Sequence, residues 1–157
     1  MFLKLDLKKA YDKVSWNFLR LVLIQIRLKW EVVQWILGCV CNENFVILIN
    51  GSPSEFFKSG RGLRQRCPLS PMLFLLVVEC LSRMIMKAKV DGSFFGFKVS
   101  ICQVVSHLLF VDDVLLLGSD SVDEWISLKK ILDSFCEASG MEINFQKSVF
   151  IHANMEK

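Results

Sequence analysis

An α+β fold, with helices on one face of a mainly antiparallel sheet, follows from three observations on this 157-residue chain. Short apolar runs with strand character stand near both ends and around residues 104–117. Longer stretches with apolar residues at helical spacing lie between them. The resulting order is strand, helices, hairpin, helix, strand pair, helix, strand, without internal repeats or a linker. That is similar to a split β-α-β arrangement and unlike an alternating parallel one. The length suits one domain, and 53% hydrophobic residues with only three prolines argue for a packed core over disorder.

Each element has a local reason. Phe2 to Leu7 alternates well enough for a strand ending in a carboxylate, Asp6, and Lys8 to Lys13 forms a short charged connection. Ser15 is a suitable N-cap for a helix to about Leu28, with Phe18, Leu19, Val22, Leu23 and Ile26 on one face. A second helix runs from about Glu31 to Cys41. Phe45 to Ile49, then Asn50-Gly51, then Glu55 to Phe57 is a hairpin signature, because Asn-Gly takes the positive φ that tight hairpin turns require. Ser70 and Pro71 open a helix to about Lys89. After a Gly/Phe-rich turn at Gly92 to Phe97, one strand passes through Ile101 and another, Val104 to Val111, leads to an Asp pair. Ser121 to Glu124 matches a capping box for a helix to about Ala138, which Gly140 ends, and Met141 to Phe150 resumes as strand with Lys147 near its end.

The chemistry centres on Asp112 and Asp113, set between Leu108 to Val111 and Val114 to Leu117. This reads as two buried strands joined by an acidic turn, and a carboxylate buried there without a partner costs several kcal/mol, so it calls for a cation. A plain Asp-containing hairpin turn is the other reading of this segment alone. Asp6, at another strand end, can meet the pair at one sheet edge. Three acids without a nearby histidine make an oxygen-only site, which favours magnesium or manganese.

Charge supports the same division. Net charge is +3, but residues 1–66 carry eleven Lys/Arg against five Asp/Glu, and residues 67–157 carry eight against eleven. The first part suits a polyanion and the second suits cations. Lys58, Arg61, Arg64 and Arg66 fall in one loop with Gly60 and Gly62, glycines that let backbone approach a ligand, and arginines suit bidentate contact with phosphate. A magnesium pair beside such a loop suits phosphoryl or nucleotidyl transfer.

Other classes are disfavoured. The six cysteines form no C-x-x-C pair and the two histidines have no ligand-like spacing, which speaks against a zinc site or a disulfide framework. Without a secretory signal at the N-terminus, reduced thiols in an intracellular compartment are the expectation. No run reaches about 18 apolar residues free of charges and turn formers, so no membrane partner is expected and Cys67 to Val78 reads as part of a core helix.

Four segments also carry a resemblance. Leu5 to Asp12 (Leu-Asp-Leu-Lys-Lys-Ala-Tyr-Asp), Gly62 to Pro71 (Gly-Leu-Arg-Gln-Arg-Cys-Pro-Leu-Ser-Pro), Phe110 to Asp113 and Gly140 to Ser148 resemble, in order and spacing, four successive palm motifs of reverse transcriptases. The similarity is greatest to LINE-type, non-LTR retroelements of the kind abundant in plant genomes, and it covers nearly the whole chain. It implies a polymerase palm, a ferredoxin-like split β-α-β sheet, acting as an RNA-directed DNA polymerase on RNA template, DNA primer and deoxynucleotides with two Mg2+ or Mn2+ ions. Asp6 and Asp112 would bind both metals with Asp113 supporting them. Tyr11 would exclude a ribose 2′-hydroxyl, and Gln65 would line the nucleotide and template pocket. Arg61, Arg64 and Arg66 would contact template or phosphate, and Lys147 would serve as a general acid near the leaving pyrophosphate.

Two residues depart from the family pattern. Arg66 stands where a glycine usually follows the glutamine, and Val111 replaces the usual alanine before the Asp pair. The resemblance also implies that fingers would precede Asp6 and that primer grip and thumb would follow Lys147, with endonuclease and ribonuclease H segments elsewhere. The expectation is a single palm-domain fragment, a degenerate retroelement remnant with little or no polymerase activity of its own. Two alternatives stand beside it: a non-catalytic remnant binding nucleic acid weakly through Lys58, Arg61, Arg64 and Arg66, and, remotely, a phosphoacceptor receiver domain.

Overall fold

The computed structural model describes residues 1–42, 44–100, 103–111 and 113–151. A four-stranded sheet forms its centre, in the order β10 (Val149–Ile151), β1 (Phe2–Asp6), β9 (Asp113–Leu117), β8 (His107–Phe110). All three pairings are antiparallel. The receiver alternative requires parallel strands alternating with helices, so this sheet rules it out.

Register sorts the side chains into two faces. Leu3 pairs with Leu116, Leu5 with Val114, and Leu109 with Val114, and these point toward the helices. Leu5, Val114 and Leu116 are buried there with Phe74, Val77 and Leu81 of α4 (Leu69–Val90) and Leu128, Leu132 and Phe135 of α5 (Val122–Ser139). Leu19 and Leu23 of α2 (Trp16–Gln25) and Val33 and Leu37 of α3 (Trp30–Cys41) extend the same core. Each such side chain contributes about 1.5–3 kcal/mol by burial. The opposite face carries Lys4, Asp6 and Asp113 together with the exposed Leu108 and Phe110.

Several expectations are corrected. The strand pair around the acids is not buried on both sides: β9 is largely buried, whereas Leu108 and Phe110 of β8 are exposed, because among the described residues no layer covers the outer face of that edge strand. The run from Val104 breaks at buried Ser106 into β7 (Val104–Val105) and β8, and β7 pairs with β6 (Phe97–Lys98) instead. The strand expected through Ile101 lies outside the described residues. The 44–58 hairpin divides into an outer ladder, β2 (Asn44–Phe45) with β5 (Phe57–Lys58), and a tip, β3 (Leu48–Ile49) with β4 (Ser52–Pro53), about Asn50-Gly51. Both turn residues have positive φ, 51° and 84°, as a type I′ turn needs.

Helix ends show smaller differences. Ser70 is buried inside the first turn of α4, whose N-cap is Pro68 and has no side-chain cap. Ser15 caps α2 as expected, its Oγ accepting from Phe18 N. Gly140 ends α5 in the left-handed region at φ 77°, and a Cβ there would lie 2.9 Å from the Lys13 carbonyl oxygen. Helix α4 has the length and hydropathy of a membrane span, but Leu73, Phe74, Val77, Val78, Leu81, Ile85 and Ala88 along it are buried in the hydrophobic core. The cysteines described, Cys39, Cys41, Cys67, Cys80 and Cys136, are free thiols.

Candidate active site

The pairing of β1 with β9 sets Asp6 directly opposite Asp113. Opposed residues of an antiparallel pair share a face with Cβ atoms about 5 Å apart, and two like charges so placed destabilise the sheet unless a cation lies near. One is present in the chain itself. Lys4, two residues before Asp6 on the same face, puts its Nζ 3.1 Å from Asp113 Oδ1. The donor set is oxygen only, so its chemistry also fits a divalent ion. Among the described residues no three His, Cys, Asp or Glu side chains cluster closely enough to hold a metal ion; Asp112, the third expected acid, lies outside them.

Asp6 is fixed by a segment 138 residues away. Asn144 Nδ2 donates to Asp6 Oδ2 at 3.0 Å, Asn144 N donates to Asp6 O at 2.8 Å, and Asp6 N donates to Ser148 Oγ at 3.2 Å. Leu7 continues the contact as an isolated bridge to Ile143. Lys147 therefore sits in a turn just before β10 and not within a long strand from Met141, and its side chain is exposed. Lys147 N and Ser148 N donate to the Asn144 carbonyl at 3.1 and 2.9 Å, which shapes that turn. Glu142 accepts from Lys13 Nζ at 2.5 Å and pairs with Lys8 at 3.6 Å, and the Lys13 bond and charge hold its carboxyl below the ordinary range.

Helix α1 (Ala10–Lys13) follows β1 and carries Tyr11. The Tyr11 ring stacks on Phe74 of α4, centroids 4.6 Å apart and planes 13° apart, so it is half-buried against the core. The basic loop docks on this same turn. Gly62 N donates to Val14 O at 2.8 Å, Leu63 N to Tyr11 O at 2.7 Å, and Trp16 Nε1 to Gly62 O at 2.7 Å. Gly62 has φ 97°, and a Cβ on it would come within 2.9 Å of the Asp12 carbonyl oxygen. Its glycine requirement thus has a packing reason, the seating of loop on helix.

Gln65 Nε2 donates to Asp12 Oδ1 at 3.1 Å, and the two line a cavity of about 440 Å³ with Trp16, Phe45, Arg61 and Arg64. Arg66 and Lys58 are exposed outside it. Arg66 has φ 64° and Val111 φ 55°, both left-handed. Cys67, beside Arg66 and just before α4, has its thiol drawn down by the Leu69 amide, with a smaller contribution from Arg64. The structure thus groups Asp6 with Asp113, and Gln65 with Arg61 and Arg64. Lys4, Asp12, Trp16, Asn144 and Ser148 complete these groups and were not singled out by the sequence, where only long-range pairing gives them meaning.

Comparison with known proteins agrees with this geometry. A family model described as reverse transcriptase (RNA-dependent DNA polymerase) matches residues 1–156. The chain is 40% identical over 90 residues to an uncharacterized mitochondrial protein of Arabidopsis thaliana, covering 57% of this chain and 69% of that protein. It is 29% identical over 148 residues to a retrovirus-related Pol polyprotein from the type-1 retrotransposable element R2 of Popillia japonica, of which it spans 20%. Its fold matches an apo telomerase structure from Candida tropicalis with a TM-score of 0.71 at 17% identity, covering 99% of this chain and 31% of that one. By a family match along nearly its whole length, the chain belongs to the reverse transcriptases.

Proposed function

We propose that the chain carries the palm of an RNA-directed DNA polymerase, which adds deoxynucleotides to the 3′-hydroxyl of a primer paired with an RNA template. The observation that carries this reading is the opposed pair Asp6 and Asp113 on the open face of an antiparallel sheet. In this reading Asp6, Asp112 and Asp113 hold divalent ions, Mg2+ or Mn2+ and two in number. Such ions, when bound, supply the positive charge that activates the primer hydroxyl and neutralises the leaving pyrophosphate. The protein's own part is placement. Tyr11, braced on Phe74, bars a 2′-hydroxyl from the sugar position, and Gln65, held by Asp12, orients the template base. Lys147 gives its proton to the pyrophosphate as it leaves. Arg61, Arg64 and Arg66 meet phosphates.

A second reading is favoured by the backbone at Arg66 and Val111, two residues with Cβ atoms held at positive φ within the motifs. In that reading the chain is a non-catalytic remnant that binds nucleic acid weakly through Lys58, Arg61, Arg64 and Arg66. Primer extension on an RNA template with Mg2+ or Mn2+ separates the two. We expect little extension by the native chain, more by Arg66→Gly, and none when Asp112→Asn or Asp6→Asn is added to Arg66→Gly. A folded Arg66→Gly chain that extends nothing would favour the binding remnant.

A further inference from the structure

Asn144 has a place in this arrangement that no motif resemblance assigns to it. Its side-chain amide donates to Asp6 Oδ2, its backbone N–H donates to Asp6 O, and its carbonyl accepts from the Lys147 and Ser148 amides and from Ser148 Oγ at 2.8 Å. Ser148 Oγ in turn accepts from Asp6 N. One residue therefore touches both the carboxylate of β1 and the turn that bears Lys147.

We propose that Asn144 is a positioning residue that orients the Asp6 carboxylate toward a divalent ion and ties Lys147 to the same point. The inference rests on the reading of Asp6 as a metal-holding carboxylate. A carboxylate at a strand end rotates freely about its terminal torsion, so its two oxygens are equivalent to an approaching ion. An amide donor on Oδ2 ends that equivalence and leaves Oδ1 as the oxygen to face a cation. Partners of this kind, outside the ligand set but bonded to it, typically change metal affinity about 10–100-fold when removed. Asn144 suits the task because it is held at both ends: its backbone is locked to Asp6 by the 2.8 Å bond, so its side chain has one short torsional path to the carboxylate.

The test is Mn2+ affinity of the whole chain, followed by the loss of the free-ion electron paramagnetic resonance signal, with the thermal midpoint recorded in parallel. Native, Asp6→Asn, Asn144→Ala, Asn144→Leu and Glu124→Gln chains are compared. Asn144→Leu keeps the side-chain volume and lacks the donor, which guards against a folding defect in Asn144→Ala. Glu124→Gln perturbs the fold away from the carboxylate, since its bonds run to Phe95, Gly96 and Ser119. The expected result is a weakening of about tenfold in whichever Asn144 variant is folded. Glu124→Gln should lower the thermal midpoint and bind Mn2+ as the native chain does. Native-like Mn2+ binding by a folded Asn144 variant, with Asp6→Asn weakened, overturns the positioning role and leaves the metal reading intact. Equal binding by native and Asp6→Asn chains overturns both.

Discussion

Arg66 and Val111 occupy backbone conformations that their side chains oppose. In the left-handed region Cβ crowds the following carbonyl, at a cost of roughly 1–2 kcal/mol to an L-residue and little to glycine. At Arg66, φ 64°, the family's usual glycine is thus explained by the turn itself: the chain must reverse between Gln65, bonded to Asp12, and the start of α4. At Val111, φ 55°, the β-branched side chain makes the strain greater, in a turn that pairs Phe110 with Asp113. Replacing Arg66 with glycine relieves the fold but also frees the unfolded chain, which offsets part of the gain. The net expectation for Arg66→Gly is a stabilisation of about 0.5–1 kcal/mol, read as a higher urea midpoint at unchanged slope. A lower midpoint would mean that the arginine side chain makes a contact outweighing its backbone strain.

Among the elements, α5 shows best where sequence reasoning reached and where it stopped. The capping-box match at residues 121–124 and the glycine at 140 located the helix to within a residue or so of its observed ends. Ser121-Val122-Asp123-Glu124 promised a capping box, yet Ser121 makes no side-chain cap and Glu124 turns to other partners. Its Oε1 accepts from the Phe95 and Gly96 amides at 2.8 Å each, and its Oε2 from the Ser119 amide at 3.0 Å and the Ser119 hydroxyl. Local signatures miss this because the competing donors arrive from 28 and 29 residues away. The same limit hid Asn144, whose partner Asp6 is at the other end of the chain, whereas Asp6 itself was legible from its place at the end of a strand.

Glu124 is only 2% exposed, and burial alone would raise its carboxyl pKa. The hydrogen bonds from Ser119, Gly96 and Phe95 together outweigh that and hold it below its ordinary 4.5. A depressed folded value means that the unfolded chain takes up the proton first as pH falls. The stability contributed by Glu124 is therefore complete above about pH 4.5 and is lost as the pH drops through the lower folded value. Thermal unfolding should show the native midpoint falling below pH 4.5 and Glu124→Gln lower at neutral pH but flatter across that interval. Parallel pH curves for the two chains would exclude Glu124 as the source of the acid sensitivity.

At the scale of the molecule, the helices cover one face of the sheet and leave the other to the acids, while a basic loop docks on α1 through Gly62 and Leu63. Layering of this kind was legible from the order of the elements. The open face was not, since the exposure of Phe110 and Leu108 depends on what lies beyond an edge strand. A polyanion on this molecule would meet Lys58, Arg61, Arg64 and Arg66, and each phosphate neutralised releases counterions. Four contacts imply a slope of log K against log salt of about −3.6 on a duplex and about −2.8 on a single strand. Titration of an RNA–DNA hybrid between about 50 and about 200 mM salt tests this. Arg61→Ala with Arg66→Ala should flatten the duplex slope by about 1.8, because two phosphate contacts are removed. Chelation of divalent ions should leave that binding unchanged, since the loop acts through fixed charge. Binding that vanishes on chelation would instead assign the contact to the carboxylates of the sheet, and the basic loop would then be a solvated surface.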